Sequence, residues 1–392
     1  MIVGSETIQT ERQWVITGAT GFIGREFVRT LIDQRIPGNR IFVIVRGKKG
    51  ITARERLSAS LAPLLDQTSI DSIRVLDGDV RTANFGLDTQ QWNQICHSTH
   101  LIHLAANTSF SASIEEARQC NLFGTQQMAR LAQECSDNGT LEQWSHVSTA
   151  YVVGDRTDLI HPGDLRVKTQ FRNCYEQSKN ESEQFLKPYL TSLPLTIFRP
   201  AIVVGHSQSG EAGNFNTIYW AIRRYLSGHT KFYARGDTPL DLVPVDYAVN
   251  AMLALIELPM ARGMTLHLAG GKSTTITLQD LGHKISEYLD SPLPDIQNPV
   301  RLKLLCHLLS LIRLSAKQQR FIDQAKSYLP YFCQNPQFDN RLTEILLRDT
   351  GIAVPQLDTY LPNILNFCLA QPWGKRSTLP GTRYHHKNVV NA

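Results

Sequence analysis

The sequence predicts an α/β protein built on a doubly wound parallel sheet, with a smaller substrate-binding part and a C-terminal helical region. Three observations predict it. A short apolar run, Trp14-Val15-Ile16-Thr17, leads into glycines at three-residue spacing, Gly18, Gly21 and Gly24, and then into apolar residues at helical spacing: Phe22, Ile23, Phe27, Val28, Leu31 and Ile32. Strands and helices alternate from there to Pro200, the pattern of a right-handed parallel sheet. Beyond Pro292 only helical periodicity remains.

The opening strand, glycine turn and helix have the geometry of a dinucleotide site. Glycines let the turn tighten and let backbone N–H groups approach a pyrophosphate, which then faces the positive end of the new helix. Thr17, Gly18, Thr20, Gly21, Phe22, Ile23 and Gly24 are therefore candidate cofactor-binding residues; a tight turn with no ligand is the plainer alternative. The second strand, Ile41 to Val45, runs directly into Arg46-Gly47-Lys48-Lys49. In a Rossmann-like sheet that position lies beside the adenine ribose, where an acid favours NAD. Arg46 and Lys48 instead favour a 2′-phosphate and hence NADPH, against the alternative of a solvated basic turn.

A helix from Ala53 to Leu65 precedes the third strand, Ile73 to Leu76, which ends in Asp77-Gly78-Asp79-Val80. Asp79 is placed at the adenine edge and Val80 against the ring. The fourth strand, His100 to Leu104, ends in Ala105-Ala106-Asn107; Leu104, Ala105 and Ala106 lie where small residues let backbone approach a cofactor. A long helix, Ile114 to Cys135, carries Asn121 and Gly124. The fifth strand, Trp144 to Val147, ends in Ser148-Thr149-Ala150-Tyr151. Tyr175-Glu176-Gln177-Ser178-Lys179 opens a helix to about Leu190, and the sixth strand, Leu195 to Phe198, closes on Arg199-Pro200. Pro200 and Ile202 complete the cofactor-binding set.

Gly205 to Gly213 and Tyr233 to Val245 read as loops around a pocket, followed by a helix from Tyr247 to Leu258 and a strand from Met264 to Leu268. Arg301 to Leu314 is amphipathic: Leu304, Leu305, Leu308, Leu311 and Ile312 form a stripe that either packs on the main body or lies on a membrane surface. Helices over about Lys317 to Tyr328, Arg341 to Asp349 and Gln356 to Ala370 follow. The expected organisation is a flexible leader (1–12), an NADP-binding domain (13–295) with substrate-binding insertions at about 201–245 and 270–295, a helical region (296–370) and a flexible tail (371–392).

Composition narrows the classes. The 392 residues are 42% hydrophobic with a formal net charge of +5, which suits phosphorylated ligands and does not imply nucleic acid. The seven cysteines are scattered without a C-x-x-C pair, as expected of reduced thiols in a cytoplasmic protein. The adjacent His385 and His386 have no partner ligands, so no metal site is expected. No signal peptide is visible, and no apolar run reaches the length of a membrane span.

Three separated pieces suggest chemistry: Ser148-Thr149, Tyr175 and Lys179. Hydride transfer to a carbonyl carbon leaves negative charge on its oxygen, which must be stabilised and protonated. Tyr175 can give a proton if its pKa, ordinarily ~10, is brought down. Lys179, one helical turn on, supplies the positive charge and can hold the nicotinamide ribose hydroxyls. A hydroxyl at a strand's carboxyl end points into the crevice where such sheets bind ligands.

With these residues in view, the segments T-G-A-T-G-F-I-G, D-G-D-V, H-L-A-A, N-L-F-G-T, H-V-S-T-A-Y, Y-E-Q-S-K and F-R-P-A-I-V-V-G resemble the extended short-chain dehydrogenase/reductases over residues 13 to about 270. The resemblance implies Thr149, Tyr175 and Lys179 as the catalytic set, with Ser148 in place of Thr149 if the alignment slips by one, and Asn121 supporting a proton relay. Within that superfamily, H-V-S-T-A-Y-V and Y-E-Q-S-K are similar to fatty acyl-CoA reductases, and V-R-G followed by E-R-L, N-F-G-L-D and Trp92 to thioester reductases. Y-L-P-Y-F-C-Q-N-P-Q-F-D-N (328–340) looks like a shortened C-terminal region of the fatty acyl-CoA reductases. The resemblance implies NADPH-dependent reduction of an acyl thioester, carried by CoA or an acyl carrier protein, to an aldehyde and onward to an alcohol. A dehydrogenase or epimerase of a sugar nucleotide or other small alcohol keeps the same fold, as does a non-catalytic cofactor-binding protein.

Overall fold

The structure of the chain, a computed structural model, describes residues 12–167, 169–213, 217–299 and 327–371. The expected leader apart from Arg12, the amphipathic stretch Arg301 to Leu314, nearly all of the helix expected over Lys317 to Tyr328, and the tail beyond Gln371 lie outside the described residues.

Seven strands form one parallel sheet: β1 (Trp14–Thr17), β2 (Ile41–Val45), β3 (Arg74–Asp77), β4 (His100–His103), β5 (Gln143–Val147), β6 (Leu195–Pro200) and β7 (Thr265–Leu268). Their order is β3-β2-β1-β4-β5-β6-β7. The chain winds outward one way from β1 and the other way from β4, so the crevice beyond the C-terminal ends of these neighbours is the topological switch point. Every residue of β1, β2, β4, β5 and β6 is buried, as expected where helices cover both faces of a parallel sheet. The register sets Thr17 beside His103 and His103 beside His146, a polar row across three strands.

Three helices position the site. Helix α1 (Phe22–Asp33) begins at the glycine turn, with Phe27, Val28 and Leu31 in the core. Helix α2 (Ile114–Asp137) starts with a capping box: Ser113 Oγ accepts from Glu116 N at 3.2 Å, and Glu116 accepts from Ser113 N at 3.3 Å. Helix α3 (Cys174–Leu186) is capped by Asn173, whose Oδ1 accepts from Glu176 N at 3.0 Å.

The chain divides into two compact units, each interrupted in sequence. The larger comprises Met1–Gly205, Asp241–Thr274 and Pro336–Gln356; the smaller comprises His206–Leu240, Thr275–Asn335 and Leu357–Ala392. The stretches set aside as substrate-binding insertions, about 201–245 and 270–295, are thus shared between the units. In the larger unit Gln337–Phe338 pairs in parallel with Leu159–Ile160. Next to it, Asn340 Nδ2 donates to Ala269 O at 2.9 Å and Thr343 Oγ1 to His267 O at 2.7 Å, while Leu347 joins the core that contains β1. The stretch Tyr233 to Val245, expected as loop, carries the strands Pro239–Leu240 and Leu242–Pro244, the second pairing in parallel with Ile202–Val204. Strands this short, with proline in each, carry little sequence signal.

In the smaller unit, helices Ile218–Leu226 and Leu278–Tyr288, neither of them expected from the sequence, flank a strand pair, Lys231–Tyr233 with Asp295–Gln297. They line an apolar cavity of about 260 Å³ walled by Ile222, Tyr225, Phe232, Leu281, Ile285 and Phe332 among others. Among the described residues no helix is long and apolar enough to cross a membrane.

Candidate active site

The glycine turn is tight for reasons of contact. Gly18 has φ +78°, and a Cβ there would lie 2.5 Å from Ala105 N; a Cβ at Gly24 would collide with the Gly18 carbonyl oxygen. These two glycines let β1, α1 and the end of β4 close on one another. Gly21 is exposed, caps α1 without any side-chain hydrogen bond, and leaves the first backbone N–H groups of the helix without a side-chain acceptor. That donor set fits a pyrophosphate. Thr20 accepts through its backbone oxygen from Ser60 Oγ at 3.3 Å, while Phe22 and Ile23 form the first, half-buried turn of α1. Leu104, Ala105 and Ala106 follow β4, with Leu104 N donating to Thr17 O at 3.1 Å.

At the end of β2, Arg46 Nη1 lies 3.4 Å from Asp79 Oδ2, and Arg81 Nη2 lies 2.7 Å from the same oxygen. The Asp79 carboxylate is thus held between two guanidiniums, and Arg46 remains partly exposed. Lys48 is exposed and closes a small turn with Ile51. Val80 packs against Gly124 of α2, where a Cβ would lie 3.2 Å from the Val80 Cβ. Pro200 ends β6 beside Leu268, and Ile202 N donates to Asp241 O at 3.1 Å.

The fold brings Thr149, Tyr175 and Lys179 together from the end of β5 and the first turns of α3. The Thr149 side chain lies near enough to the Tyr175 phenol to favour its ionised form, while its Oγ1 accepts from Tyr151 N at 3.3 Å. Ser148, the neighbouring alternative, points its hydroxyl into the interior, buried and without a partner. The Tyr175 ring lies tilted on Phe110, with centroids 6.2 Å apart. Burial raises the Tyr175 pKa to about 12 against the opposing effect of Thr149, so the phenol keeps its proton at neutral pH. Lys179 is 1% exposed; burial lowers its pKa to about 8, while Glu183 and Cys120 pull the other way. Its ammonium donates to Val147 O at 2.7 Å, and Nζ lies 3.2 Å from His146 Nε2.

Asn121 is fully buried and fastens three elements. Its Oδ1 accepts from Asn107 N at 2.7 Å, and its Nδ2 donates to Asn107 O at 3.2 Å and Ser178 Oγ at 2.8 Å. Its backbone oxygen accepts from Thr125 Oγ1 at 2.6 Å and Ser182 Oγ at 3.0 Å. The sequence reading missed His103 and His146; the available signal was polar residues inside strands otherwise built for burial.

These values predict a pH dependence. Only the protonated amine offers charge to a tyrosine and keeps an N–H for a ribose beyond those directed at Val147 and His146. Lys179 is protonated below its pKa of about 8 and neutral above it. For a nicotinamide cofactor bound here, the kcat/KM, which reports groups of the free protein, is therefore expected to fall about tenfold per pH unit above that point. A profile flat to pH 10 would show that Lys179 stays charged or plays no part.

The fold is that of the extended short-chain dehydrogenase/reductases, a class of oxidoreductases that use a nicotinamide cofactor. A family model described as Male sterility protein matches residues 16–252, and the chain belongs to that family. It is 28% identical over 277 residues to fatty acyl-CoA reductase 1 of Homo sapiens, which covers 61% of this chain and 53% of the human protein. It is 29% identical over 276 residues to the nonribosomal peptide synthetase asaC of Aspergillus flavus, covering 66% of this chain and 26% of that protein. The chain therefore spans about half the length of the first and a quarter of the second. Among solved structures, the terminal R domain of the myxalamid PKS-NRPS pathway is similar in fold, with a TM-score of 0.77, 22% identity and coverage of 92% of this chain and 90% of that one.

Proposed function

We propose that the protein is an NADPH-dependent reductase of acyl thioesters. The observation that carries this reading is the meeting of Tyr175 and Lys179, one helical turn apart, with the end of β5 that carries Thr149, in a chain whose relatives include fatty acyl-CoA reductases and a peptide synthetase. The turn from Gly18 to Gly24, Arg46 and Lys179 would hold NADPH at its pyrophosphate, 2′-phosphate and ribose, and the bound cofactor would supply the hydride. Thr149 and Tyr175 hold the thioester oxygen, and Tyr175 passes its proton to that oxygen as charge develops. Lys179 steadies the resulting phenolate. The hemithioacetal then expels its thiol, leaving an aldehyde, which the same residues can hold for a second reduction to the alcohol. Asp79 and Val80 are assigned to the adenine end, with Asp79 directing Arg46 and Arg81.

The test is NADPH oxidation across a panel of acyl-CoAs and acyl carrier proteins, with aldehyde and alcohol measured. Oxidation with nucleotide sugars and none with any thioester would overturn the reading. Cofactor choice is tested separately. A charge-assisted contact to phosphate is worth about 1.5–3 kcal/mol, so Arg46→Ala is expected to narrow the preference for NADPH over NADH by roughly tenfold or more. Equal affinity of the native protein for both cofactors would remove Arg46 from that role.

A further inference from the structure

Lys179 has two hydrogen-bonding partners in the fold, the Val147 carbonyl and His146 Nε2. An ammonium has donors and no lone pair, so His146 must accept at Nε2 and carry its proton on Nδ1. The ring is completely buried, and burial together with the Lys179 charge keeps its pKa well below the ordinary histidine value. Its neighbour in the row, His103, is also completely buried and neutral, stacked on it with centroids 5.4 Å apart, and its Nδ1 lies 2.8 Å from Thr17 Oγ1. Two neutral imidazoles thus form the floor beneath Lys179, anchored at the far end to the last residue of β1.

Asn121, proposed to support a proton relay, is held by other partners. Both of its side-chain polar atoms are engaged by Asn107 and Ser178, and its carbonyl oxygen takes two hydroxyls, so it braces α2 against α3. The other ionisable groups around Lys179 are Tyr175 and Glu183 on its own helix and Cys120 on α2. Glu183 is bound to Arg199, and burial raises the Cys120 thiol.

We propose that His146 is the positioning residue of Lys179: a neutral acceptor that aims the ammonium and stabilises its charge without cancelling it. This rests on the reading of Lys179 as the cation that serves Tyr175 and the cofactor ribose. A carboxylate in the same place would hold the amine as firmly but would quench the field that Tyr175 needs. An apolar residue would leave a second N–H of a buried ammonium without a protein partner.

The experiment compares His146→Gln with His146→Asn. The glutamine oxygen reaches about as far as Nε2, whereas asparagine falls one methylene short. NADPH affinity is titrated from pH 7 to 10 by cofactor fluorescence, beside thermal unfolding. The native protein and His146→Gln are expected to lose affinity with a common midpoint. In His146→Asn, losing a hydrogen bond to a charged group should move that midpoint down by roughly one pH unit. A simple packing defect would lower the unfolding temperature and leave the midpoint in place. A midpoint unmoved in His146→Asn overturns the proposal, as does a native affinity with no midpoint in this range. Failure of the thioester reading would appear separately, as native protein that binds NADPH and reduces no thioester.

Discussion

Tyr175→Phe is expected to lower single-turnover reduction of an acyl thioester by ~10²–10⁴, the usual weight of a positioned proton donor, and to leave NADPH affinity nearly native. The ring and its contact with Phe110 remain, and only the hydroxyl near Thr149 is lost. Lys179→Ala should differ in kind. On the proposed reading it removes a charge one helical turn from the phenol and a donor to the ribose, so affinity and turnover should fall together. Thr149→Val should slow turnover alone, because the proposed hydrogen bond from Thr149 to the developing oxyanion would be absent. Combined, the three substitutions should cost far less than the product of their separate effects, since all act on one oxygen. Near-native turnover in Tyr175→Phe would place the proton donor elsewhere.

The second large effect concerns stability. Arg199 and Glu183 are each 1% exposed and joined at 2.6 and 3.0 Å, and Arg199 also donates to the carbonyls of Pro162 and Asp164. Glu183→Ala strands a guanidinium in the interior, and the expected loss is about 3–5 kcal/mol in denaturant unfolding. Replacing both partners by apolar residues, as in Glu183→Leu with Arg199→Met, should recover much of it. Unfolding of Glu183→Ala at the native midpoint would mean that water reaches Arg199. Losing Glu183 also removes a charge that favours the Lys179 ammonium, so the alkaline limb should move to lower pH.

Local signals carried much of this architecture. The glycine turn, the alternating strands and helices and the Tyr175–Lys179 spacing are each contained in a short window, and pattern alone exposes them. The position of Arg46 directly after β2 is plain in the sequence, but its pairing with Asp79 joins the ends of two strands and has no periodic signature. Likewise His103 and His146 fall four residues into separate strands. Only the parallel register brings them together, and only the packing of α3 sets Lys179 above them. Arg199 read as a strand end because its partner lies sixteen residues back, on a helix. Helix Ile218–Leu226 went unread between a loop rich in glycine and serine and two very short strands.

The return of Pro336–Gln356 to the larger unit bears on how the chain is made. A ribosome releases the seven strands of the sheet by residue 268, yet the edge beyond β7 is still unfinished. His267 and Ala269 present carbonyls that Thr343 and Asn340 later cover, and the partner strand of Leu159–Ile160 has not been synthesised. Leu347, part of the core around β1, arrives later still. The nascent nucleotide fold must therefore wait through some eighty further residues, exposed to chaperones and proteases, before its last edge is sealed.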